Sequence, residues 1–560
     1  MFARRELVTA AVASQIGRTL TARPRPLGLG ATPRDLRPVD PDNGRRILAG
    51  AFVFGGESLT PGPHGDPWDR AYPSRRFAVT LHQFGWLGDL IALGDAGATE
   101  GLRLALEWRR VFGGWNAFAW SPQVLERRVF NLACGARAIC RPASEAETLT
   151  LTADLARQAR VLLALDDGPQ RRAERATAAA LAAAALGGPA ARRLLAHALQ
   201  RLAVALPDTV TPDGGHASRS PQAAMELFFD LQTLDDALTQ RGASAPDALL
   251  RALDRLDGAV RFLTLADGGL AALQGGEAQS RTYVAAARAQ EGAANRTVPA
   301  ARNGYHRLQG QALQVIADAA APAPGGWSVA ACAQPLAIEV LASGRRLIVA
   351  SGWSPAAAAP AALRLVDAAS TASLADATCG EPLRGFAAEA LGARLRDTCG
   401  PVEAERRETP AAAWLELSHD GWARRFGLRH ERRLYLDRAA DELRGEDTFR
   451  PLRASRADGR RFAPFTVRFH LHPRVSALIS QDRRGVLLKA DGDDAGWWLR
   501  TDALEIVLEP STYIENHLPR RSQQIVLRGQ VRLGAGAQVR WKLSSAATPT
   551  SHIDDSARPA

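Results

Sequence analysis

The sequence predicts an α-helical domain followed by a large antiparallel β domain. From about residue 75 to 320, apolar residues recur at helical spacing and Ala and Leu dominate, as in residues 173–186, 190–206 and 246–263. From about residue 325 onward the pattern changes to the alternation of strands, as in residues 465–472 and 485–490. Turn residues separate these short segments at regular intervals, which is typical of a β-sandwich or a barrel.

The chain is too long for a single hydrophobic core, since it has 560 residues. Its 46% hydrophobic and 23% charged residues are ordinary for a globular protein and exclude a disordered one. The composition and hydrophobic periodicity of the sequence predict four segments: an irregular N-terminal arm (1–75), a helical domain (76–322), a β domain (323–548) and a disordered tail (549–560).

The N-terminus is relevant to export. It begins with basic residues, as a signal peptide does, but its apolar run is short and is interrupted by Ser14, Gln15 and Arg18. Nowhere does the chain contain about 18 uninterrupted apolar residues, so we expect no transmembrane helix. The sequence therefore predicts a weak or absent export signal, and it leaves both the cell envelope and the cytoplasm open.

The formal net charge is +11, and the only lysines are Lys489 and Lys542. Arginine binds carboxylates and sulfates through two parallel hydrogen bonds. A basic surface of this kind suits an acidic polysaccharide or a nucleic acid. Because no nucleic-acid-binding signature is present, we expect no nucleic acid, and an acidic polysaccharide is favoured. The alternative is a compositional bias that places Arg where other proteins use Lys.

The number and spacing of the cysteines bear on disulfides and metals. There are five, an odd number, and none forms a C-x-x-C pair. This pattern predicts reduced, partly buried thiols and neither a disulfide framework nor a structural zinc site. The five residues are Cys134, Cys140, Cys332, Cys379 and Cys399.

Residues 213–221 interrupt the helical region with two glycines, a histidine, an arginine and a proline. Glycine breaks helices and allows the backbone to approach a ligand closely. The segment therefore predicts a substrate cleft with His216 and Arg219 in it. The alternative is a helix–helix turn in which Pro221 begins the next helix.

A series of motifs resembles the heparinase II/III-like family, polysaccharide lyases with an (α/α) toroid and a C-terminal β-sandwich. The resemblance runs through most of the chain, and the order and spacing of the motifs carry it. It implies an α+β multidomain fold, an incomplete (α/α) toroid followed by an antiparallel β-sandwich. The matching segments are residues 81–90, 127–132, 213–221, 267–270, 304–308, 429–433, 445–447 and 468–473.

The resemblance implies β-elimination on a uronic-acid-containing acidic polysaccharide, in the cell envelope or periplasm. In this reaction a positive or hydrogen-bonding group neutralises the uronate carboxylate, which stabilises the enolate-like transition state. A Tyr or His then removes the C5 proton, and another protonates the departing glycosidic oxygen. No organic cofactor is needed. The implied catalytic residues are His216, Tyr305 and His430, and the implied substrate-binding residues are Arg219, Arg307, Arg364, His470 and His472.

The sequence departs from the family pattern where the chemistry would occur. Ala223 and Ala224 stand where the family has a Tyr-His pair, Cys332 stands where it has a His, and Ala369 stands where it has another. A methyl group cannot transfer a proton. These replacements predict either a rearranged acid/base set or a loss of catalysis.

A divalent metal is a further possibility. His470 and His472 are two residues apart on a predicted strand, so both point to one face. That spacing suits two metal ligands. No third ligand is evident, because Ala369 occupies the position of the family's nearby His.

Three functions are compatible with the sequence. The first is a polysaccharide lyase with a rearranged acid/base set. The second is a catalytically inactive homologue that binds acidic glycan. The third is a glycoside hydrolase, which would need paired carboxylates; it is the weakest, because Asp213 has no second carboxylate beside it.

Overall fold

The computed structural model describes residues 28–165, 168–289, 299–453, 461–493 and 495–547. The predicted tail at 549–560 and the N-terminal residues considered for export lie outside the described residues. The chain divides into two compact units. The first runs through Gly214 and includes Ala224–Asp257; the second contains Gly215–Ala223, Gly258–Val284 and the described residues from 299 onward.

The helices are concentrated before residue 289. In chain order they are α1 (Pro41–Leu48), α2 (Arg75–Gln83), α3 (Leu87–Ile91), α4 (Asp95–Phe112), α5 (Pro122–Cys140), α6 (Glu145–Ala164), α7 (Arg172–Ala185), α8 (Gly188–Thr209), α9 (Pro221–Gln240), α10 (Asp247–Leu263), α11 (Arg281–Arg288), α12 (Gly385–Leu391) and α13 (Ala423–Phe426).

The strands follow, after one short N-terminal hairpin. They are β1 (Phe52–Phe54), β2 (Glu57–Leu59), β3 (Ala301–Arg302), β4 (Tyr305–Gln309), β5 (Leu313–Asp318), β6 (Ile338–Ala342), β7 (Arg345–Val349), β8 (Ala372–Leu374), β9 (Val402–Glu408), β10 (Ala412–His419), β11 (Leu428–Asp437), β12 (Glu442–Pro451), β13 (Phe462–Leu471), β14 (Val475–Ile479), β15 (Gly485–Ala490), β16 (Trp497–Thr501), β17 (Glu505–Glu515), β18 (Leu518–Arg532) and β19 (Ala537–Ser545).

The alanine-rich helix α7 forms the centre of the first unit. Every residue from 173 to 185 is buried, and the helix packs against α5, α6 and α8. A helix that is apolar on all sides is stable only when other helices surround it. Alanine side chains also allow close approach, and they favour the helix intrinsically. The alanine run therefore determines both the helix and its central place.

The N-terminal segment is more regular than the sequence predicted. Helix α1 begins after Asp40, whose carboxylate accepts hydrogen bonds from the backbone N–H groups of Asp42 (3.0 Å) and Asn43 (3.1 Å). Pro41 occupies the first turn, where its missing N–H costs nothing. An aspartate cap before a proline is a local helix signal, so the regular structure here has a cause in the sequence.

The second unit is built on two antiparallel sheets. One has the strand order β14-β15-β16-β19-β12-β11-β10-β9. The other has the order β17-β18-β13-β7-β6-β5-β4-β3, with β8 paired to β13. A single hydrophobic cluster contains inward residues of both sheets, such as Val340 and Leu434, which is the packing of a sandwich. The first strand of these sheets begins at Ala301, earlier than the predicted boundary at 323.

The structure corrects the expectation that all cysteines are reduced. Cys379 and Cys399 form a disulfide, with their Cα atoms 4.9 Å apart. Cys134, Cys140 and Cys332 are free thiols. The two bonded residues are 20 positions apart in the sequence. An odd number of cysteines is compatible with a single disulfide, and sequence spacing alone cannot show which chain segments meet.

Within the described ranges, every helix is too short or too polar to cross a bilayer.

Candidate functional site

Two glycines in left-handed backbone conformations form the turn at residues 213–221. Gly214 has φ 87° and Gly215 has φ 113°. A Cβ atom at Gly215 would lie 2.4 Å from Nδ2 of Asn303, so only glycine allows this close approach. The same Asn303 amide donates a hydrogen bond of 3.2 Å to the carbonyl of His216. The turn is therefore held against the start of the β domain.

His216, a predicted catalytic residue, is 3% exposed. Its Nδ1 lies 2.7 Å from Oγ of Ser218 and accepts a 3.1 Å hydrogen bond from the backbone N–H of Ser218. The ring packs edge-on against Trp327, with 5.5 Å between ring centroids. These contacts fix the ring within the turn.

Arg219, a predicted substrate-binding residue, is buried and has φ 64°. Its guanidinium forms an ion pair with Asp318. It also donates to the carbonyls of Gly304 (3.1 Å), Ala320 (2.9 Å) and Ala321 (2.9 Å). Burial alone would lower the pKa of Arg219, but the Asp318 carboxylate reverses the effect and raises it. Its Nε donates to the carbonyl of Asn303 (3.3 Å), so all three guanidinium nitrogens bind the protein itself.

Tyr305, the predicted replacement for the missing acid/base, is fully buried. Its hydroxyl donates a 2.7 Å hydrogen bond to the carbonyl of Arg219, and its ring lies 4.8 Å from the Arg219 guanidinium carbon. Burial raises the pKa of Tyr305 well above its usual value. In this arrangement the phenol stabilises the turn.

The outer face of the second sheet carries a polar layer that the sequence did not reveal. Strand alternation places Leu313, Val315 and Ala317 in the sandwich core, so neighbouring residues face outward. Asp318 accepts a 2.7 Å hydrogen bond from Nε2 of Gln274, in addition to the Arg219 pair.

A second ion pair lies on the same sheet face. Nε of Arg346 donates to Asp267 over 2.8 Å, and its Nη2 donates to the carbonyl of Leu270 over 2.8 Å. The Glu339 carboxylate lies 3.8 Å from Nη1 of Arg346 and accepts from the backbone N–H of Ala272 at 3.3 Å. In the sequence, only the alternation of polar residues in these strands could have indicated this polar layer. Asp267 itself lies in the motif at residues 267–270.

The two histidines considered as metal ligands differ in their surroundings. Nδ1 of His470 lies 2.7 Å from Oγ of Ser511, and its Nε2 lies 3.0 Å from the carbonyl of Asp367. Both ring nitrogens therefore have protein partners. His472 is half-buried and packs against Tyr513, with 5.1 Å between ring centroids. Within the part of the chain that the structure describes, no group of three His, Cys, Asp or Glu residues could hold a metal ion.

The remaining predicted arginines donate hydrogen bonds to backbone carbonyls. Nη1 of Arg307 donates to the carbonyls of Phe262 (3.2 Å) and Thr264 (3.3 Å). Arg364 is 2% exposed and donates to the carbonyls of Ala331 (2.7 Å) and Ser328 (2.7 Å). Arg364 thereby fixes the loop that carries Cys332.

The structure places His430, a predicted catalytic residue, inside the sandwich core. It is fully buried, because β11 alternates and puts His430 and Arg432 on its inward face. Nε2 of His430 lies 2.8 Å from Oδ1 of Asp447, and its Nδ1 lies 3.2 Å from Nε2 of His419. A polymeric substrate cannot reach this ring.

The predicted site residues therefore form separate groups. His216, Arg219 and Tyr305 meet around the turn. His470 bonds to Ser511 and Asp367 instead, and His430 lies in the core.

Of the four positions that depart from the family pattern, three are buried in the structure. Ala224 and Ala369 are fully buried. Cys332 is 2% exposed, and burial raises the pKa of its thiol to about 11. The thiolate that acts as a base or nucleophile is therefore scarce at neutral pH.

Buried histidines predict a loss of stability in acid. Burial lowers the pKa of His470 to about 4. It lowers the pKa of His472 to about 4 as well, with Arg346 contributing. The unfolded chain binds protons near pH 6.5 and the folded chain does not, so stability falls as the pH drops from 6.5 to 4. The slope is at most about 1.4 kcal/mol per pH unit for each histidine.

Urea unfolding at pH 7, 5.5 and 4.5, followed by tryptophan fluorescence, measures this loss. His470→Gln is expected to reduce the pH slope, and His197→Gln, at an exposed position, is expected to leave it unchanged. Equal stability at the three pH values would contradict the prediction.

Sequence comparison connects the chain to known proteins. Residues 294–547 match the model of the family described as heparinase II/III-like, C-terminal. A relative from Caulobacter vibrioides, FtsZ-localized protein C, is 51% identical over 529 residues, which cover 94% of this chain and 92% of the relative.

Solved structures match the fold. A crystal structure of heparinase III superposes with a TM-score of 0.72 at 13% identity, over 96% of this chain and 89% of that one. A mutant of the heparan sulfate lyase HepC from Pedobacter heparinus superposes with a TM-score of 0.60 at 14% identity, over 98% and 91%. The predicted fold class, a helical toroid domain followed by an antiparallel β-sandwich, is confirmed. This chain belongs to the heparinase II/III-like family.

Proposed function

We propose that this protein is a non-catalytic member of its family that acts by association with FtsZ. The absence of catalysis is supported by the loss of proton-transfer groups. Ala223, Ala224 and Ala369 bear only methyl groups, and Cys332 is a buried thiol of raised pKa. Elimination from a uronate needs one group to remove the C5 proton and one to protonate the leaving oxygen.

Two of the polar groups that remain, Tyr305 and Arg219, are engaged in holding the fold. The Tyr305 hydroxyl donates to the Arg219 carbonyl, and the Arg219 guanidinium is bound to Asp318 and to backbone carbonyls. A residue that must release these bonds to reach substrate would leave buried polar groups unsatisfied, at a cost of about 1–3 kcal/mol each. This cost favours a structural role for both.

The partner is inferred from the relative in Caulobacter vibrioides, whose name states that it is localised with FtsZ. Identity of 51% over nearly the full length of both chains supports a common role. The solved lyases share only 13–14% identity, which supports a common fold but gives much weaker support for a common reaction.

Two experiments test the proposal. The first incubates the protein with a panel of uronic-acid polymers, with heparinase III as positive control, and measures the absorbance of the unsaturated product. We expect none. The second images a fluorescent fusion beside labelled FtsZ, and tests binding of the purified proteins. We expect co-localisation and direct binding.

The other functions give different results. A lyase with a rearranged acid/base set would yield product, and His216→Ala or Tyr305→Phe would reduce its turnover by about 10²–10⁴-fold. An inactive glycan-binding homologue would bind the acidic polysaccharides without cleaving them and would not bind FtsZ. Either result would replace the proposal.

A further inference from the structure

One surface of the helical unit carries positive charge without a counter-charge. Helix α8 buries one face, with Leu194, Leu195 and Leu202 among its buried residues. Because that face is buried, the opposite face of the helix points to solvent. The exposed face carries four residues that we call the α8 stripe: Arg192, Arg193, His197 and Arg201.

Several exposed arginines of the unit have an acidic partner. Arg103, Arg110, Arg141 and Arg171 each form an ion pair with a carboxylate. Over the ranges that the structure describes, the four stripe residues have neither an ion pair nor a side-chain hydrogen bond. Among the described residues, Arg109 and Arg251 of the same unit also lack an ion pair, but they lie apart from each other. The α8 stripe places three such arginines on one exposed helix face.

The stripe is not explained by the stability of the helix itself. The sole acid of α8 is Asp208, in its last turn, where a negative charge is unfavourable. None of the stripe arginines has a carboxylate three or four residues away in the helix, so none takes part in an intrahelical ion pair. Replacing these arginines by neutral residues would therefore not weaken the helix.

We infer that the α8 stripe docks an acidic peptide segment of a partner protein. Arg193, His197 and Arg201 are spaced by four residues, about 6 Å along the helix axis. Alternate side chains of an extended peptide repeat at nearly the same distance, about 6.6 Å. Carboxylates at alternate positions thus meet successive stripe residues in charge-assisted hydrogen bonds.

Two features favour a peptide over other polyanions. Val204 continues the stripe by one turn and is 72% exposed, so it offers an apolar contact that a phosphate backbone would not use. The exposed face has no Phe, Tyr or Trp side chain on which a base could stack. Val204 is also the only large apolar residue on that face, which is too little for insertion into a lipid surface. The inference does not depend on which protein supplies the segment.

Fluorescence anisotropy with a labelled deca-glutamate peptide tests the inference at low ionic strength. The full-length protein is expected to bind it. The variant Arg192→Glu, Arg193→Glu, Arg201→Glu is expected to weaken binding on the order of 10-fold or more, since three exposed ion pairs are replaced by repulsions. A matched control, Arg251→Glu, Arg424→Glu, Arg484→Glu, changes the net charge equally at three scattered exposed positions and is expected to bind as the parent does.

The same two variants are titrated with a single-stranded oligonucleotide and with vesicles of anionic phospholipid. Circular dichroism confirms that each variant is folded. The inference is overturned if the parent does not bind the peptide, or if the scattered control loses as much affinity as the stripe variant. It is also overturned if the stripe variant keeps peptide binding, or if it loses oligonucleotide or vesicle binding to the same extent as peptide binding.

Discussion

Asp447→Asn is expected to lower the free energy of unfolding by about 3–5 kcal/mol, the range for breaking a buried ion pair. Asp447 is fully buried and accepts from Nε (2.8 Å) and Nη2 (3.1 Å) of Arg432, from Nε1 of Trp541 (3.0 Å) and from the His430 ring. Burial would raise the pKa of this carboxyl, but Arg432 and His430 hold it below its usual range. The neutral amide leaves the Arg432 charge buried without a counter-charge.

Chemical denaturation of the parent and of the variant measures this difference in the free energy of unfolding. The matched control is Asp420→Asn, because Asp420 binds Arg429 with the same two-pronged geometry at 2.7 and 3.1 Å. That pair is partly exposed, with 37% of the Asp420 side chain accessible, so the control should cost less than about 1 kcal/mol. Similar losses for the two variants would show that burial does not set the strength of the Asp447 network.

Arg219→Met is expected to have the second large effect, lowering the free energy of unfolding by about 3–5 kcal/mol. Methionine keeps much of the arginine side-chain volume but removes the charge. The Asp318 carboxylate, which is 1% exposed, would keep the 2.7 Å hydrogen bond from Gln274 and lose its cation. The carbonyls of Gly304, Ala320 and Ala321 would also lose their donor.

This variant also separates a structural from a substrate-binding role for Arg219. If the arginine serves mainly to bind an acidic sugar, Arg219→Met would leave unfolding unchanged and weaken only glycan binding. Arg520→Met provides the control, since Arg520 is 56% exposed and pairs with Glu515 at the surface. It should change stability by less than about 1 kcal/mol.

The sequence by itself determined the succession of structure types. The alanine run at residues 173–185 specifies a helix that must be surrounded by others, and the alternation in residues such as 428–437 specifies a strand with one buried face. These patterns depend on neighbours three, four or two positions away, so they can be read locally. The glycines at 214 and 215 likewise marked a turn, and His216, Arg219 and Tyr305 do meet there.

Only the tertiary structure decided what the polar residues do. The partner of Arg219 is Asp318, 99 positions along the chain, and the partner of His430 is Asp447, on the adjacent strand. Cys379 and Cys399 meet because the fold closes the intervening loop. Whether a charged group faces solvent or a buried counter-charge depends on contacts between distant segments, and local sequence carries no direct record of them. A motif at residues 429–433 could therefore indicate the family, while the inward direction of His430 required the sheet register.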